Sequence, residues 1–147
     1  MNVGYARSFK ELRVYQRARE VSRAAFQLSK SFPKEEKYSL TDQFRRAARS
    51  VGAQIAEAWG KRRYEKHFVS KLTDADAEQM ETQHWVSEAL DCGYILPTDA
   101  ARLDSGLLEI GRMLNSMMEK SESFCGSPDG VLREEPTDYF ISNEEKE

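Results

Sequence analysis

One stretch of this sequence, residues 39–60, constrains the fold more than any other. Its apolar residues recur at spacings of three and four, which is the pattern of a helix that buries one face. The residues on this face are Leu40, Phe44, Ala47, Val51, Ile55 and Ala58. A neighbouring row contains only the small residues Ala48, Gly52 and Ala56, against which a second helix or another subunit can approach closely. The stretch therefore predicts a helix from Ser39, as its cap, to Gly60, packed in a helical core.

Three further segments carry the same helical period, and short breaks separate them. The first helix is predicted at about residues 10–31, with Ser8 and Glu11 at the spacing of a capping box. The third is predicted at about residues 64–92, with a rather polar inner row, and it ends before a glycine. The fourth is predicted to begin at Thr98 as its cap. Its buried face is expected to carry Leu103, Leu107, Ile110, Leu114 and Met117. Together the four segments predict an all-α fold, an antiparallel up-down-up-down four-helix bundle.

The chain divides by composition after Phe124. Its 147 residues suit one domain with a proper core, so residues 1–124 are predicted to form the bundle. Residues 125–147 contain two prolines, two glycines and seven acidic residues without a sustained period, which predicts a flexible acidic tail. No segment approaches the roughly 18 apolar residues that span a bilayer, and the N-terminus lacks the apolar core of a signal peptide. The sequence therefore predicts a cytoplasmic protein without membrane contact.

Charge is strongly segregated along the chain. From Arg7 to Lys71 there are 17 Lys and Arg against 7 Asp and Glu, a net charge of +10. From Leu72 to Phe124 there are 3 against 11, a net charge of −8, and residues 125–147 have 2 against 7, a net charge of −5. Two interpretations follow. The positive half can pair with the negative half within or between subunits, or it can form a surface for an anionic partner.

The cationic residues with the best claim to an anionic partner lie on the first two predicted helices and at the turn after the second. Arginines that protrude from two adjacent helices can follow a phosphate backbone. The candidate nucleic-acid-binding residues are Arg13, Arg17, Arg45, Arg46, Arg49, Arg62, Arg63 and Lys66. An isoelectric point near 5.6 requires that these charges be concentrated on one surface. An acidic protein partner fits the same residues.

No pattern in the sequence calls for catalysis, a metal or another cofactor. Glu81 and His84 have the E-x-x-H spacing of di-iron bundles, but such a site needs a second E-x-x-H pair. The only other histidine, His67, has no glutamate three residues before it. There is no glycine-rich phosphate loop, and Cys92 and Cys125 do not have the spacing of a zinc site. We therefore expect a non-enzymatic protein without a cofactor and with free cysteines.

Three blocks of the sequence carry a family resemblance that covers about Phe9 to Met118. They are FKELRVYQRA, FPKEEKYSLTDQFRRAARSVGAQIAEAWGKRR and METQHWVSEALDCGYI. In this order they resemble the family of four-helix bundle proteins also known as 23S rRNA intervening-sequence proteins. The resemblance implies an antiparallel four-helix subunit, ring-like homo-oligomers that are pentameric in characterised relatives, and no known enzymatic activity. A related branch comprises the accessory proteins of diversity-generating retroelements. Resemblance to this branch implies a basic barrel that binds nucleic acid and a reverse transcriptase.

Two functional hypotheses result. The first is a homo-oligomeric helical bundle that binds RNA, DNA or a nucleoprotein through the eight cationic residues. The second is a protein-interaction or assembly scaffold in which the arginines form salt bridges within and between subunits. The structure can discriminate between them, because burial of Arg45, Arg46 and Arg49 against acids of the third helix would remove the main support for the first. These acids are Asp74, Asp76, Glu78 and Glu81.

Overall fold

The structure of the protein is a computed structural model that describes residues 6–126, so the predicted acidic tail lies outside it apart from Cys125 and Gly126. This part of the chain is helical and contains no strand. Its α-helices are α1 (Arg13–Ser29), α2 (Asp42–Gly60), α3 (Glu65–Asp91), α4 (Pro97–Glu119) and the short α5 (Ser121–Phe124). Within residues 6–126, no helix is long and apolar enough to span a bilayer.

The predicted apolar faces of α2 and α4 are confirmed. All six residues of the α2 face and all five of the α4 face are buried. Each of the four long helices contacts the next one along the chain, and α4 also contacts α1. The core therefore lies between these helices, as expected when each buries one apolar stripe.

The polar inner row predicted for the third helix is also present, and its polar members are satisfied. Gln79 and Thr82 are 3% and 0% exposed. The Gln79 amide nitrogen donates to Asp76 Oδ1 at 2.9 Å, and its oxygen accepts from Gln83 Nε2 at 2.7 Å. The Thr82 hydroxyl donates to the Glu78 carbonyl at 2.8 Å. Because a buried polar group is costly only when it lacks a partner, α3 can place amides and hydroxyls in the core.

The predicted helix caps are the main point at which the sequence analysis is wrong. Ser8 does cap a helical turn, but this is the separate 3₁₀ turn Phe9–Glu11, and α1 begins only at Arg13. Ser39 lies inside the π-helical turn Lys37–Thr41. Its hydroxyl donates to Glu36 Oε1 at 2.8 Å and caps nothing, so α2 begins after this turn.

The start of α4 uses different chemistry from the predicted threonine cap. Pro97 occupies the first helical position, where its missing N–H costs nothing and its fixed φ suits a helix. Asp99 accepts a hydrogen bond from the Leu96 backbone nitrogen at 3.2 Å. The exposed Thr98 therefore lies within the first turn and does not cap it. At the end of α3, Gly93 has a φ of +77°, so the predicted glycine stop is confirmed.

One hydrogen bond and two ring contacts tie the α1–α2 connection to the α3–α4 connection. The Tyr94 hydroxyl donates to Glu36 Oε2 at 2.8 Å. The Phe32 ring centroid lies 5.5 Å from that of Tyr94 and 6.0 Å from that of Phe44. The two inter-helix connections are thus fastened to each other and to the start of α2.

Candidate nucleic-acid interface

The eight predicted cationic residues do not share one environment. Arg46, Arg49, Arg63 and Lys66 are exposed, whereas Arg13, Arg17, Arg45 and Arg62 are half-buried. The half-buried ones all interact with other residues of the protein. Arg17 forms ion pairs, whereas Arg62 packs on an aromatic ring. The structure therefore divides the set into cations held by the fold and cations that face solvent.

Arg17 is held in an ion-paired network between α1 and α4. Its Nη1 lies 2.7 Å from Glu20 Oε1, and its Nε lies 2.7 Å from Glu109 Oε1. The hydrogen bond with Glu20, followed by the contacts with Glu109, raises the pKa of the guanidinium above its ordinary value despite partial burial. Arg13 on the same helix is half-buried and is also engaged. Arg17 is therefore held by acids of α1 and α4, and not by the acids of the third helix that the scaffold hypothesis named.

Arg62 lies over an aromatic ring and does not point away from the protein. Its guanidinium carbon is 3.6 Å from the Trp59 ring centroid, and its Nε donates to the Trp59 carbonyl at 2.7 Å. Burial lowers the pKa of Arg62, opposed by the nearby Cys125. The contact is a cation–π interaction that closes the C-terminal end of α2. Exposed Arg63 and Lys66 lie in the same region of the chain, beside the 59% exposed Tyr64.

The three arginines of α2 are not buried against the acids of α3. Arg45 donates from Nε to Ser29 Oγ at 2.7 Å, and its guanidinium carbon lies 4.7 Å from the Phe26 ring centroid. Arg49 lies 5.5 Å from the same centroid. Arg46 is near enough to Glu78 to oppose the rise in the pKa of this carboxyl, which burial dominates. Within residues 6–126, no salt bridge joins any of the three arginines to α3, so the burial that would have removed the main support for nucleic-acid binding is absent there.

A groove between α1 and α2 contains Arg49, which is the one member of the predicted set that lines it, together with two further arginines of α1. We call it the arginine groove; it has a volume of about 540 Å³. Its floor consists of small residues, and the predicted small-residue row of α2 lies here against α1. A methyl group at Gly52 would lie 3.5 Å from Tyr15 Cε1 and 4.0 Å from Ala18 Cβ. The lining residues are Phe9, Tyr15, Ala18, Arg19, Ser22, Arg23, Phe26, Gln27, Ala48, Arg49, Gly52, Ala53 and Ala56.

The electrostatics of the arginine groove are one-sided. Arg19, Arg23 and Arg49 line it, and the lining contains no aspartate or glutamate. All three side chains are exposed, and within residues 6–126 none forms a salt bridge. The Arg19 guanidinium lies 5.9 Å from the Tyr15 ring centroid, so each end of the groove combines an arginine with an aromatic ring. Such a site attracts anions and offers planar surfaces on which bases can stack.

Arg19 and Arg23 are functional candidates that the sequence analysis left out. They lie four residues apart and so share a face of α1. This spacing was a usable signal, but Arg13 and Arg17 show the same spacing. Only the packing of α1 against its two neighbours separates the two pairs, because α4 places Glu109 beside Arg17 and α2 places Arg49 in a common groove with Arg23.

No group of metal-binding side chains is evident in the described part of the chain. Glu81 accepts a hydrogen bond from Trp85 Nε1 at 3.0 Å, and the His84 ring packs edge-on against Trp85 at a centroid distance of 4.7 Å. Among residues 6–126, no three His, Cys, Asp or Glu side chains are grouped in a way that could hold a metal ion.

The fold and the groove define an all-helical protein with a basic, aromatic-bearing cleft between its first two helices. Residues 10–116 match the family described as 23S rRNA-intervening sequence protein, and the chain belongs to this family. It is also similar to a crystal structure of a protein with unknown function from the S23 ribosomal protein family of Bacteroides thetaiotaomicron. The two share 26% sequence identity with a TM-score of 0.65, over 72% of this chain and 98% of the other. No functionally curated protein matches the chain.

Proposed function

We propose that this protein is a non-enzymatic, antiparallel four-helix bundle that binds single-stranded nucleic acid, RNA in particular, in the arginine groove. The observation that carries the proposal is the set of three exposed arginines, Arg19, Arg23 and Arg49, around a groove without a carboxylate. The family description, which refers to an rRNA intervening sequence, supports RNA as the ligand. Cytoplasmic location, a homo-oligomer of pentameric type and the bundle boundary at residue 124 belong to the same proposal.

The dimensions of the groove favour a single strand. A volume of about 540 Å³ suits one phosphodiester chain with a base or two, and it is too small for the paired bases of two strands. In that position the arginines contact phosphates, and the exposed parts of Tyr15 and Phe26 accept a base. Arg45 contributes indirectly, because it is held by Ser29 and packs on Phe26. Exposed Arg46, Arg63 and Lys66 extend the positive surface beyond the groove.

The test is the salt dependence of binding to a fluorescently labelled short single-stranded RNA, followed by anisotropy. Each phosphate contact releases condensed counterions, so the slope of log K against log salt reports the number of contacts. In the triple variant Arg19→Gln, Arg23→Gln, Arg49→Gln we expect this slope to fall by about 2, since a single strand contributes about 0.7 per contact. Binding at low salt should weaken at least tenfold.

A matched control removes the same charge from exposed residues outside the groove. The control variant is Lys34→Gln, Arg102→Gln, Arg112→Gln, and all three side chains are exposed. It should retain most of the slope and affinity, because none of the three lines the groove. If both triple variants lose binding equally, or if the unmodified protein shows a flat, millimolar response to salt, the proposed function is wrong.

A second candidate function, self-assembly or protein scaffolding, has one observation of its own. A shallow hollow of about 410 Å³ between α3 and α4 contains two exposed apolar side chains, Met80 at 57% and Leu108 at 52%. Large apolar groups that remain exposed side by side are typical of protein-binding surfaces. The Arg17–Glu109 pair also supports a structural role for at least one arginine. This function would not require the arginine groove.

A further inference from the structure

The arginine groove has an unbalanced charge that one segment of the same chain matches. Residues 127–147 contain seven acidic and two basic residues, a net charge of −5. The acids are Asp129, Glu134, Glu135, Asp138, Glu144, Glu145 and Glu147. Between them lies an apolar run, Tyr139, Phe140 and Ile141. The groove offers the complement of both features, namely cations and a floor of alanine and glycine.

The last described residues pack against α3 and approach Arg62. The Phe124 ring packs on Phe68 at a centroid distance of 5.7 Å, and the Ser121 hydroxyl donates to a Glu65 carboxylate oxygen. Cys125 is close enough to Arg62 for the two groups to influence each other's ionisation. These contacts hold the start of the C-terminal segment beside the turn between α2 and α3.

The segment has ample reach from this position. Ala56, which lines the groove, lies about 6 Å of helix before Gly60, where α2 ends, at 1.5 Å per residue, and Arg62 follows two residues later. The lining residues of α2, from Ala56 back to Ala48, occupy about 12 Å more. Residues 127–147, when extended at about 3.3 Å per residue, span about 70 Å. Less than half of this length is enough to run along the whole groove.

We propose that residues 127–147 dock in the arginine groove of their own chain and compete there with nucleic acid. The acids on both sides of the apolar run face Arg19, Arg23 and Arg49, and the run itself covers the small-residue floor. This inference rests on the proposed function only for the competition, because the docking needs the groove and the segment alone. The C-terminal segment then acts as an internal mimic of the nucleic-acid backbone, and it keeps weak or nonspecific ligands out of the groove.

The size of the competition follows from tethering. A segment linked to its site by a short connection has an effective concentration in the millimolar range. If its intrinsic affinity is also millimolar or somewhat better, it occupies the groove half of the time or more. Removing it should tighten nucleic-acid binding by about twofold to tenfold, since apparent affinity scales with the fraction of free sites.

The docking is tested by paramagnetic relaxation in the full-length chain. A nitroxide is attached at Ser142→Cys after the native thiols are removed by Cys92→Ser and Cys125→Ser. If the segment docks, the amide signals of Gly52 and Ala53 broaden relative to the reduced, diamagnetic sample. The broadening should disappear in the Arg19→Gln, Arg23→Gln, Arg49→Gln variant and weaken as salt rises. Unchanged groove signals in the oxidised sample would overturn the proposal.

A mixed sample identifies the chain that supplies the segment. Isotope-labelled protein without a nitroxide is combined with unlabelled protein that carries it. Docking within one chain leaves the labelled groove signals sharp. Broadening of these signals to the same extent as in the singly prepared sample would show that a neighbouring copy supplies the segment, which contradicts docking in the same chain.

The competition is tested with the same labelled RNA. The variant Glu134→Gln, Glu135→Gln, Asp138→Asn should bind it about twofold to tenfold more tightly than the unmodified chain. The control Asp91→Asn, Glu119→Gln, Glu122→Gln neutralises three exposed acids of the helical part and should change the affinity far less. Equal affinities for the unmodified chain and the tail variant would overturn the competition.

The two experiments separate a failure of the inference from a failure of the proposed function. Groove signals that broaden in a protein with no measurable RNA affinity would refute nucleic-acid binding while the docking stands. Salt-dependent RNA binding without broadening, and with no effect of the tail variant, would refute the docking while the proposed function stands.

Discussion

The close packing of α4 on α1 at Gly106 can be tested by a pair of identical substitutions at two helical glycines. A Cβ built on Gly106 would lie 3.0 Å from Val21 Cγ2, 3.4 Å from Arg17 Nη2 and 3.6 Å from Arg17 Cζ. A Cβ built on Gly52 would have Tyr15 Cε1 as its nearest neighbour, at an ordinary 3.5 Å. We predict that Gly52→Ala stabilises the protein and that Gly106→Ala does not.

The magnitudes follow from two opposing effects. In a helix interior, alanine is favoured over glycine by about 1 kcal/mol, and this gain is common to both variants. At Gly106 the new methyl group overpacks the interface, which typically costs about 1–3 kcal/mol. Val21 has little freedom to move away, because it is 5% exposed and β-branched in a helix. A shift of Arg17 would disturb its ion pair with Glu109. Gly106→Ala should therefore be less stable than Gly52→Ala by about 1–3 kcal/mol.

The assay is urea unfolding followed by far-UV circular dichroism, at one fixed protein concentration because any self-association adds to apparent stability. The helix-propensity gain cancels in the difference between the two variants, so this difference measures the steric cost alone. The double variant Gly106→Ala, Val21→Ala provides an internal check, since it removes the clashing methyl group and should lose less stability than the two single changes combined. If Gly106→Ala is as stable as Gly52→Ala, the inferred close packing of α1 on α4 is wrong.

Two further predictions concern the connections and the α3–α4 hollow. Tyr94→Phe removes the hydrogen bond that most strongly lowers the pKa of Glu36 below 4.5 and raises that of Tyr94 to about 12. The stability lost in this variant should be largest at pH values between about 4.5 and 10, where Glu36 is ionised and Tyr94 is protonated. The loss should shrink as the pH falls below 4.5, because Glu36 protonates, and as it rises from 10 towards about 12, because Tyr94 ionises. Melting temperatures of both proteins across this pH range provide the check, and a difference that does not depend on pH would contradict the prediction. For the hollow, Leu108→Glu should lower the mass found by light scattering if copies associate there. The control Leu96→Glu, at an exposed leucine outside the hollow, should leave the mass unchanged. An unchanged mass in both variants would exclude this surface as the interface.

Helical periodicity predicted the core well because burial of one stripe is a local property of each helix. The α2 face from Leu40 to Ala58 and the α4 face from Leu103 to Met117 are buried as expected. The α1 prediction was less sharp, because apolar residues occupy two neighbouring rows. Val14 and Val21 turn into the core, whereas Tyr15 is only half-buried and lines the groove.

Helix starts were predicted less well because several nearby side chains compete for the same free backbone groups. Ser39 had the right residue type for a cap, but its hydroxyl binds the Glu36 carboxylate, which Tyr94 also holds. The partner from the α3–α4 connection is 58 residues away in sequence, so no local pattern reveals it. In the same way, Asp99 rather than Thr98 completes the first turn of α4, because Pro97 sets the backbone there.

The division of the arginines between fold and groove depends on distances that no single helix contains. Arg17 and Arg19 are two residues apart, yet Arg17 meets Glu109 of α4 and Arg19 faces the α1–α2 groove. A helix turns by about 100° per residue, so a separation of two residues places side chains on nearly opposite faces. Whether an arginine pairs with a carboxylate therefore depends on which neighbouring helix its side chain faces.

This geometry also explains why the segregated charge of the chain is not neutralised along α1 and α2. The acids of residues 72–124 lie mostly on α3 and α4, and the groove between α1 and α2 is lined by neither. An α1 arginine that faces α4 can be paired, as Arg17 is, but an arginine that faces the groove cannot reach a carboxylate of those helices. The positive charge of Arg19, Arg23 and Arg49 therefore calls for an anion from outside the two acidic helices. Seven acids lie in residues 127–147, the segment that we propose docks in the groove, and a nucleic-acid backbone would have to displace this segment in order to bind there.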